Sequence, residues 1–253
     1  MEAWYSRGNS PVKKSLWEFV IKAYCKLNIW KFPPVGWVRF GELRRLEPIS
    51  RHSASRGIAV VRYYIYEFLS QHSDDIKGRV LEIEDNTCTK KFGGNKVLKS
   101  DILHVWPDNP KATIVADLTN SSADKIPSNS FDCIIFTHTL QHIYDVKAAI
   151  RTLHRILKPG GVLLVTNNGI NRISRGNMDK WGEYWHFTSL SLRLLFEEVF
   201  LPENIEVKTY GNVLAAICVM HGISARELKS SELNYCDRDF EVVVGLKARK
   251  NAS

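Results

Sequence analysis

Apolar positions recur at two different periods along this chain, and the change falls near Gly78. Upstream, residues 15–30 carry Leu16, Phe19, Val20, Ala23, Tyr24 and Leu27, the spacing of one helical face, until Pro33-Pro34 stops it. Residues 31–57 are rich in Arg, Pro, Ser and Gly and read as loop. Residues 60–69 predict a second helix with Val61, Tyr64, Ile65 and Phe68 on one side. Downstream, short apolar runs alternate with helical spacing. Strands are predicted at 79–83, 113–116, 131–137, 162–166, 205–209 and 240–246, with a less apolar one at 96–99. Helices are predicted at 146–157, 188–200 and 225–233. The first has Asp145 as N-cap and Lys158-Pro159-Gly160-Gly161 as stop.

Such alternation implies an α/β domain, a mainly parallel sheet with helices on both faces. The chain then divides into an N-terminal helical, basic extension (1–77) that covers the site and an α/β domain (78–253). Ligands in these sheets bind outside the carboxyl ends of the strands, where strand order reverses. Residues 82–88, Asp101, Asp117 and residues 137–142 stand at those predicted ends. Glu82 and Asp101 are 19 residues apart, close to the ~20 expected of an acid that accepts from ribose hydroxyls. Asp117, one strand later, is placed to accept from an adenine amino group, although an Asp after a strand also commonly caps a turn.

Composition narrows the class. The 253 residues are 44% hydrophobic and 25% charged, enough for one core plus an extension. Net charge is +8, and residues 1–77 hold 13 Lys/Arg against 7 Asp/Glu. A basic arm of this kind suits phosphates, an anionic membrane surface, an acidic substrate or a solvated face. No apolar run is long enough to span a bilayer, and no charged start, apolar run and cleavage site follow one another, so the expectation is cytoplasmic. The Trp- and Lys-bearing first helix leaves peripheral contact with the inner membrane face as an alternative to docking on its own domain. The five cysteines are odd in number and unpaired in spacing, which predicts reduced thiols. Acidic and histidine spacing predicts no essential metal. No nucleic-acid-binding module is present, which argues against that partner.

From Gly78 to Thr166 the chain resembles the class I S-adenosylmethionine (SAM)-dependent methyltransferases, in particular the methyltransferase type 11 group. RVLEIEDNT resembles that family's first motif. VADL resembles its acidic third-strand motif, IPSNSFDCIIFTHTLQHI the fourth strand and its histidine end, and LHRILKPGGVLLVT the helix, turn and fifth strand. WGEYWHFTSLSLRLLFEEVF and RGIAVVRYYIYEFL resemble a subgroup associated with bacterial polysaccharide and glycosyl-transfer proteins. The resemblance implies a Rossmann-like, mostly parallel seven-stranded sheet with helices on both faces and an N-terminal helical extension. It implies SAM as methyl donor and S-adenosylhomocysteine (SAH) as product. It assigns Glu82, Glu84, Asn86, Asp101, Ile102, Asp117, Leu118, Thr137, His138 and Tyr64 to the cofactor. His142 and His186 become candidate bases for a hydroxyl acceptor, with a packed, hydrogen-bonded histidine as the alternative at either. Arg56, Trp181, Tyr184 and Trp185 become acceptor-binding candidates, and Arg51 and Arg62 could read anionic groups on a glycan.

The sequence departs from the family at the first motif. Three glycines in E-x-G-x-G-x-G are replaced by Glu84, Asn86 and Cys88. Glycine permits positive φ and close approach of a ligand. Glu84 adds bulk and charge there. Either the loop turns it toward the ligand's amino group or cofactor binding is weakened. The expected activity is O-methylation of a sugar or glycan intermediate. The alternatives are methylation of another small molecule, natural product or lipid, and a catalytically inactive binding or scaffold protein of the same fold. Oligomeric state is left open.

Overall fold

The computed structural model of the chain describes residues 39–51, 56–120 and 125–252. It separates into two compact units, residues 1–46 and 47–253. In the first, the described residues hold one 3₁₀ turn, Gly41–Leu43. The helix predicted over 15–30 lies outside the described residues. The second unit begins well upstream of Gly78.

Seven strands form one sheet: β1 (Gly78–Ile83), β2 (Val97–His104), β3 (Ile114–Val115), β4 (Phe131–Thr137), β5 (Leu157–Asn168), β6 (Ile205–Tyr210) and β7 (Val243–Arg249). Their order is β3-β2-β1-β4-β5-β7-β6. β1 through β5 are parallel, and β7 runs antiparallel between β5 and β6. Strand order therefore reverses between β1 and β4, and the crevice between their carboxyl ends is where a ligand belongs.

The sheet is buried on both sides, and side chains alternate accordingly. On one face Leu81, Ile134, Phe136, Leu163, Val165 and Leu246 meet helices α2 (Val146–Ile156) and α4 (Ser189–Glu197) through Ile150, Leu153, Leu192 and Phe196. On the other, Val80, Cys133, Ile135 and Leu164 meet α1 (Val60–Gln71), α5 (Val213–His221) and α6 (Ser230–Asn234) through Tyr64, Phe68, Ala215 and Leu233. The α1 helix is thus part of the sheet's own unit. Asp145 caps α2 by accepting from the Ala148 amide at 2.9 Å.

Several elements depart from the sequence expectations. β2 extends to His104, because residues 99–103 pair in register with β1 from Arg79 to Ile83. β5 begins at Leu157. The turn Lys158-Pro159-Gly160-Gly161 is absorbed into the strand, tied to the chain end by Gly160 N to Lys250 O (2.9 Å) and Lys250 N to Gly161 O (3.0 Å). α5 was missed because VLAAICVMH is apolar nearly all round and shows no period. The single helix expected over 225–233 breaks into a 3₁₀ turn, Ala225–Glu227, and α6. Glu232 accepts from the Lys229 amide at 2.7 Å and starts the second piece. A short helix α3 (Arg175–Trp181) leads into the aromatic segment, where no helix is expected from the sequence. Among the described residues no helix is long and apolar enough to cross a membrane.

Candidate functional site

A cleft of about 1230 Å³ opens over the carboxyl ends of β1 to β5. That exceeds the ~300–1,000 Å³ of an ordinary ligand pocket, leaving room for two ligands side by side.

The loop after β1 forms one wall. Glu82 is buried and its carboxylate is fully engaged. It accepts from the amides of Cys88 (3.0 Å) and Thr89 (2.7 Å) and from Thr89 Oγ1 (2.7 Å). Burial pushes its pKa up and these donors pull it back. Asp85 takes the Thr87 amide at 2.8 Å. The amides that open this helical turn are therefore already capped by the chain's own carboxylates. A dinucleotide fold leaves such amides free for phosphate. Here the wall is acidic and better suited to a cationic ligand. Glu84 adopts φ 69°, the left-handed region, while Asn86 and Cys88 do not. Its conformation is pinned by Glu84 N to Leu103 O (3.0 Å) and by Asn109 Nδ2 donating to Glu84 O (2.7 Å). Asn86 lies outside the cleft lining and donates from Nδ2 to Ser100 Oγ at 3.2 Å. Gly93 serves packing, since a Cβ there would sit 2.4 Å from Val97 Cγ2.

Asp101 does not reach the cleft. It lies within β2, paired with Arg79 Nε at 2.7 Å, and it accepts from Thr113 Oγ1 at 3.1 Å. Ile102 is likewise buried in the sheet and absent from the lining. Because the strand continues, Leu103, His104, Val105 and Trp106 occupy its cleft end instead. His104 Nδ1 is held by Trp106 O at 2.8 Å. The Trp106 indole stacks on Trp181, centroids 4.3 Å apart and planes 12° apart. Asp117 and Leu118 line the cleft, and Asp117 Oδ1 accepts from Thr119 N and Oγ1, both at 2.8 Å.

The floor is built at the ends of β4 and β5. Thr137 and His138 line it. His138 has φ 49°, and its Nε2 is buried with no protein partner. Burial, reinforced by Arg62 and His142, pushes the pKa of His138 down to about 3. Gln141, missed at the sequence level, is 3% exposed with Oε1 unpartnered. His142 Nδ1 lies 2.5 Å from Gly182 O. A carbonyl can only accept, so Nδ1 carries a hydrogen, and in the neutral ring Nε2 is then the nitrogen with the lone pair.

Trp181 and Tyr184 also line the cleft, whereas Trp185, His186, Arg56 and Tyr64 do not. Trp185 Nε1 donates to Ile143 O at 3.1 Å. His186 lines a separate depression with Phe187 and Glu241, its Nδ1 3.0 Å from Gly169 O. Arg56 is paired with Glu227, Nε to Oε1 at 3.0 Å. Tyr64 is buried and donates to Leu233 O at 3.0 Å. Arg172, Arg175 and Lys180 join the lining from the segment after β5. No strand-end pattern could have located them.

This strand order, with one antiparallel strand inserted next to the edge, is the Rossmann-like fold of class I methyltransferases. A SAM-dependent methyltransferase from Archaeoglobus fulgidus superposes with TM-score 0.50 at 10% identity, covering 75% of this chain and 94% of that one. Residues 93–165 match the Methyltransf_11 family, described as a methyltransferase domain. The [4+2]-cyclase SpnF superposes equally, TM-score 0.50 at 16% identity over 75% of this chain and 82% of that one. The fold alone therefore does not fix the reaction. In sequence, the chain is 30% identical over 112 residues to the ubiquinone/menaquinone biosynthesis C-methyltransferase UbiE of Pasteurella multocida, covering 41% of this chain and 40% of that protein. It is 46% identical over 88 residues to UbiE of Escherichia coli O139:H28, covering 35% and 32%. The chain thus spans two fifths or less of the length of these curated relatives.

Proposed function

We propose that this chain is a SAM-dependent methyltransferase acting on a hydroxyl of a small-molecule or glycan acceptor. The observation that carries this reading is the cleft's division. A carboxylate-capped loop after β1 lines the same cleft as His142, whose Nδ1 is engaged by Gly182 O so that Nε2 is the nitrogen left to act as a base. SAM, when bound, supplies a methyl group on a positively charged sulfur and leaves as SAH. Glu82 and Asp85 shape the wall that receives its cationic end, and Asp117 with Leu118 receives the adenine. Asp101 lies outside the cleft lining, so Glu84 and His104, which line it, are the candidates for the ribose contacts in its place.

The chain's further work is alignment and proton removal. His142 takes the acceptor's hydroxyl proton on Nε2 as the oxygen is methylated, and Gly182 O stabilises the imidazolium through Nδ1–H. Tyr184 offers an exposed flat face for the acceptor, and a sugar ring fits it, while the Trp181 ring is already stacked on Trp106 with Lys180 Nζ over it. Polysaccharide biosynthesis is the setting we favour. We place the protein in the cytoplasm, with the inner membrane face as the alternative.

A second reading, a binding or scaffold protein of the same fold, draws on Glu84, whose bulk and charge occupy the first glycine position of the loop. Calorimetric titration with SAM and SAH decides between them. Micromolar binding of both supports the enzyme. No binding at millimolar ligand leaves the scaffold reading in front. Within the enzyme reading, His142→Ala should lower turnover while SAH affinity holds, and full activity in that variant removes His142 as the base.

A further inference from the structure

The end of α3 is fastened on two sides of the crevice. On the β2 side, the Trp181 indole stacks on Trp106, just beyond the strand, with centroids 4.3 Å and planes 12° apart. His104 meets the same ring edge-on at 5.4 Å. On the β4 side, the next residue, Gly182, offers its carbonyl to His142 Nδ1 at 2.5 Å, and Tyr184 N donates to Gln141 O at 2.8 Å. β2 and β4 are not neighbours, because β1 lies between them. Two strand spacings are about 10 Å. The paired indoles bridge that gap across the point where strand order reverses.

Little else fixes α3. It buries none of its residues, and an element with few buried contacts is easily displaced. It is nevertheless one piece with the residues that follow it. Gly182 N donates to Met178 O at 3.0 Å, Glu183 N to Met178 Sδ at 3.2 Å, and Ser174 N to Glu183 Oε2 at 3.0 Å. The Gly182 carbonyl therefore turns with the helix. Glycine is required there, since φ is 79° and a Cβ would lie 2.5 Å from Tyr184 Cζ.

We infer that Trp106 and Trp181 are positioning residues for His142: their stack holds α3 where Gly182 O keeps the imidazole hydrogen on Nδ1. In a neutral imidazole the tautomer is set by the hydrogen bond that the other nitrogen makes. Once α3 shifts, nothing selects Nδ1–H. A ligand seated at the end of β2, where His104 and Trp106 line the cleft, thus acts on the group at the end of β4. The inference rests on the reading of His142 as the base for its catalytic meaning, and on the α3 contacts alone for the coupling.

The test reads the His142 tautomer in the full chain by proton–nitrogen correlation NMR of the imidazole rings, with the His142 signals assigned by their loss in His142→Gln. The unaltered chain should show the Nδ1–H pattern. Trp106 is 42% exposed, so Trp106→Ala should fold, and it should lose that pattern to the averaged one of a free imidazole. Trp181→Leu should do the same from the other side of the stack. Trp106→Phe, which keeps a flat partner, should retain the Nδ1–H form. A stack that served stability alone would lower Tm in the first two variants and leave the tautomer unmoved. That result, or an unaltered chain without the Nδ1–H pattern, overturns the inference. SAH titration of the same samples separates it from the methyltransferase reading. If SAH binds and neither variant moves the tautomer, the coupling falls and that reading stands. If SAH does not bind and both variants move it, the reading falls and the coupling stands.

Discussion

Replacing Asp101 with alanine separates a structural carboxylate from a ligand-binding one. At the end of its strand, as the sequence spacing suggests, this carboxylate would accept from the ribose. Its loss would then cost ~1–3 kcal/mol of cofactor affinity, or ~5–150-fold in Kd. The structure predicts a different outcome. The Asp101 side chain is 4% exposed and binds Arg79 Nε at 2.7 Å. Arg79 is itself held over the Phe131 ring at 4.7 Å, so it cannot swing freely to water once its partner is gone. Removing one member of a fully buried pair costs ~3–5 kcal/mol. Arg79 is 33% exposed, so water recovers part of this, and about 2 kcal/mol is expected. At ~2–4 °C per kcal/mol for a domain of this size, Tm should fall by about 4–8 °C. SAH affinity, measured by calorimetry well below that Tm, should change less than about twofold. An unchanged Tm with a tenfold loss of SAH affinity would refute the placement of Asp101 in the sheet.

Two further predictions concern the loop and the floor. Glu84→Gly removes a left-handed strain of ~1–2 kcal/mol against a glycine entropy cost of ~0.5–1 kcal/mol. Tm should therefore rise slightly, and a fall measured by scanning calorimetry would contradict the φ of 69°. His138 titrates at about 3 in the folded chain against an ordinary 6.5. The unfolded chain thus takes up this proton first as pH falls, and the stability it represents, complete above about 6.5, is lost progressively toward pH 3. Urea midpoints at neutral and acid pH should show a shallower acid decline in His138→Asn, since Asn tolerates the left-handed backbone. An equal decline in both proteins would show that His138 is not buried in its neutral form.

What could be read from the sequence follows from how locally each element is determined. β4 and α2 were legible almost to the residue because FDCIIFT is a closed apolar run and α2 has both a strong apolar stripe and a side-chain cap. α5 was illegible because its exposed positions, Val213, Leu214 and Met220, are as apolar as its buried ones, so no polar face gives it a period. On the floor of the cleft, His138 and His142 were legible from their place after a strand. Gln141 was not, since its significance lies in an unpartnered buried oxygen. Arg172 and Lys180 depend on where the segment after β5 crosses, a tertiary fact.

Asp101 and Glu84 fail as simple readings for one shared reason. The segment after β1 forms a helical coil, a π-helical stretch Thr89–Gly93 and a 3₁₀ turn Gly94–Lys96, before β2 begins at Val97. The spacing from acid to acid is kept, but the strand end does not fall at the second acid. β2 runs past Asp101 to His104 and pairs Leu81 with Asp101 in mid-sheet, which brings Arg79 and Asp101 together as diagonal neighbours on adjacent strands. The coil also accounts for the lost glycines. Once the chain enters the coil at Thr87, Asn86 and Cys88 need no positive φ, and any L residue serves. Only the first position, where the chain leaves the strand, still requires the left-handed turn. Glu84 makes it at a cost that three fixed anchors, its amide, its carbonyl and the Glu82 carboxylate behind it, are strong enough to hold. Glu84 then lines the cleft beside Glu82 and Asp85. On this geometry the departure from glycine adds a charge to the site without removing the loop.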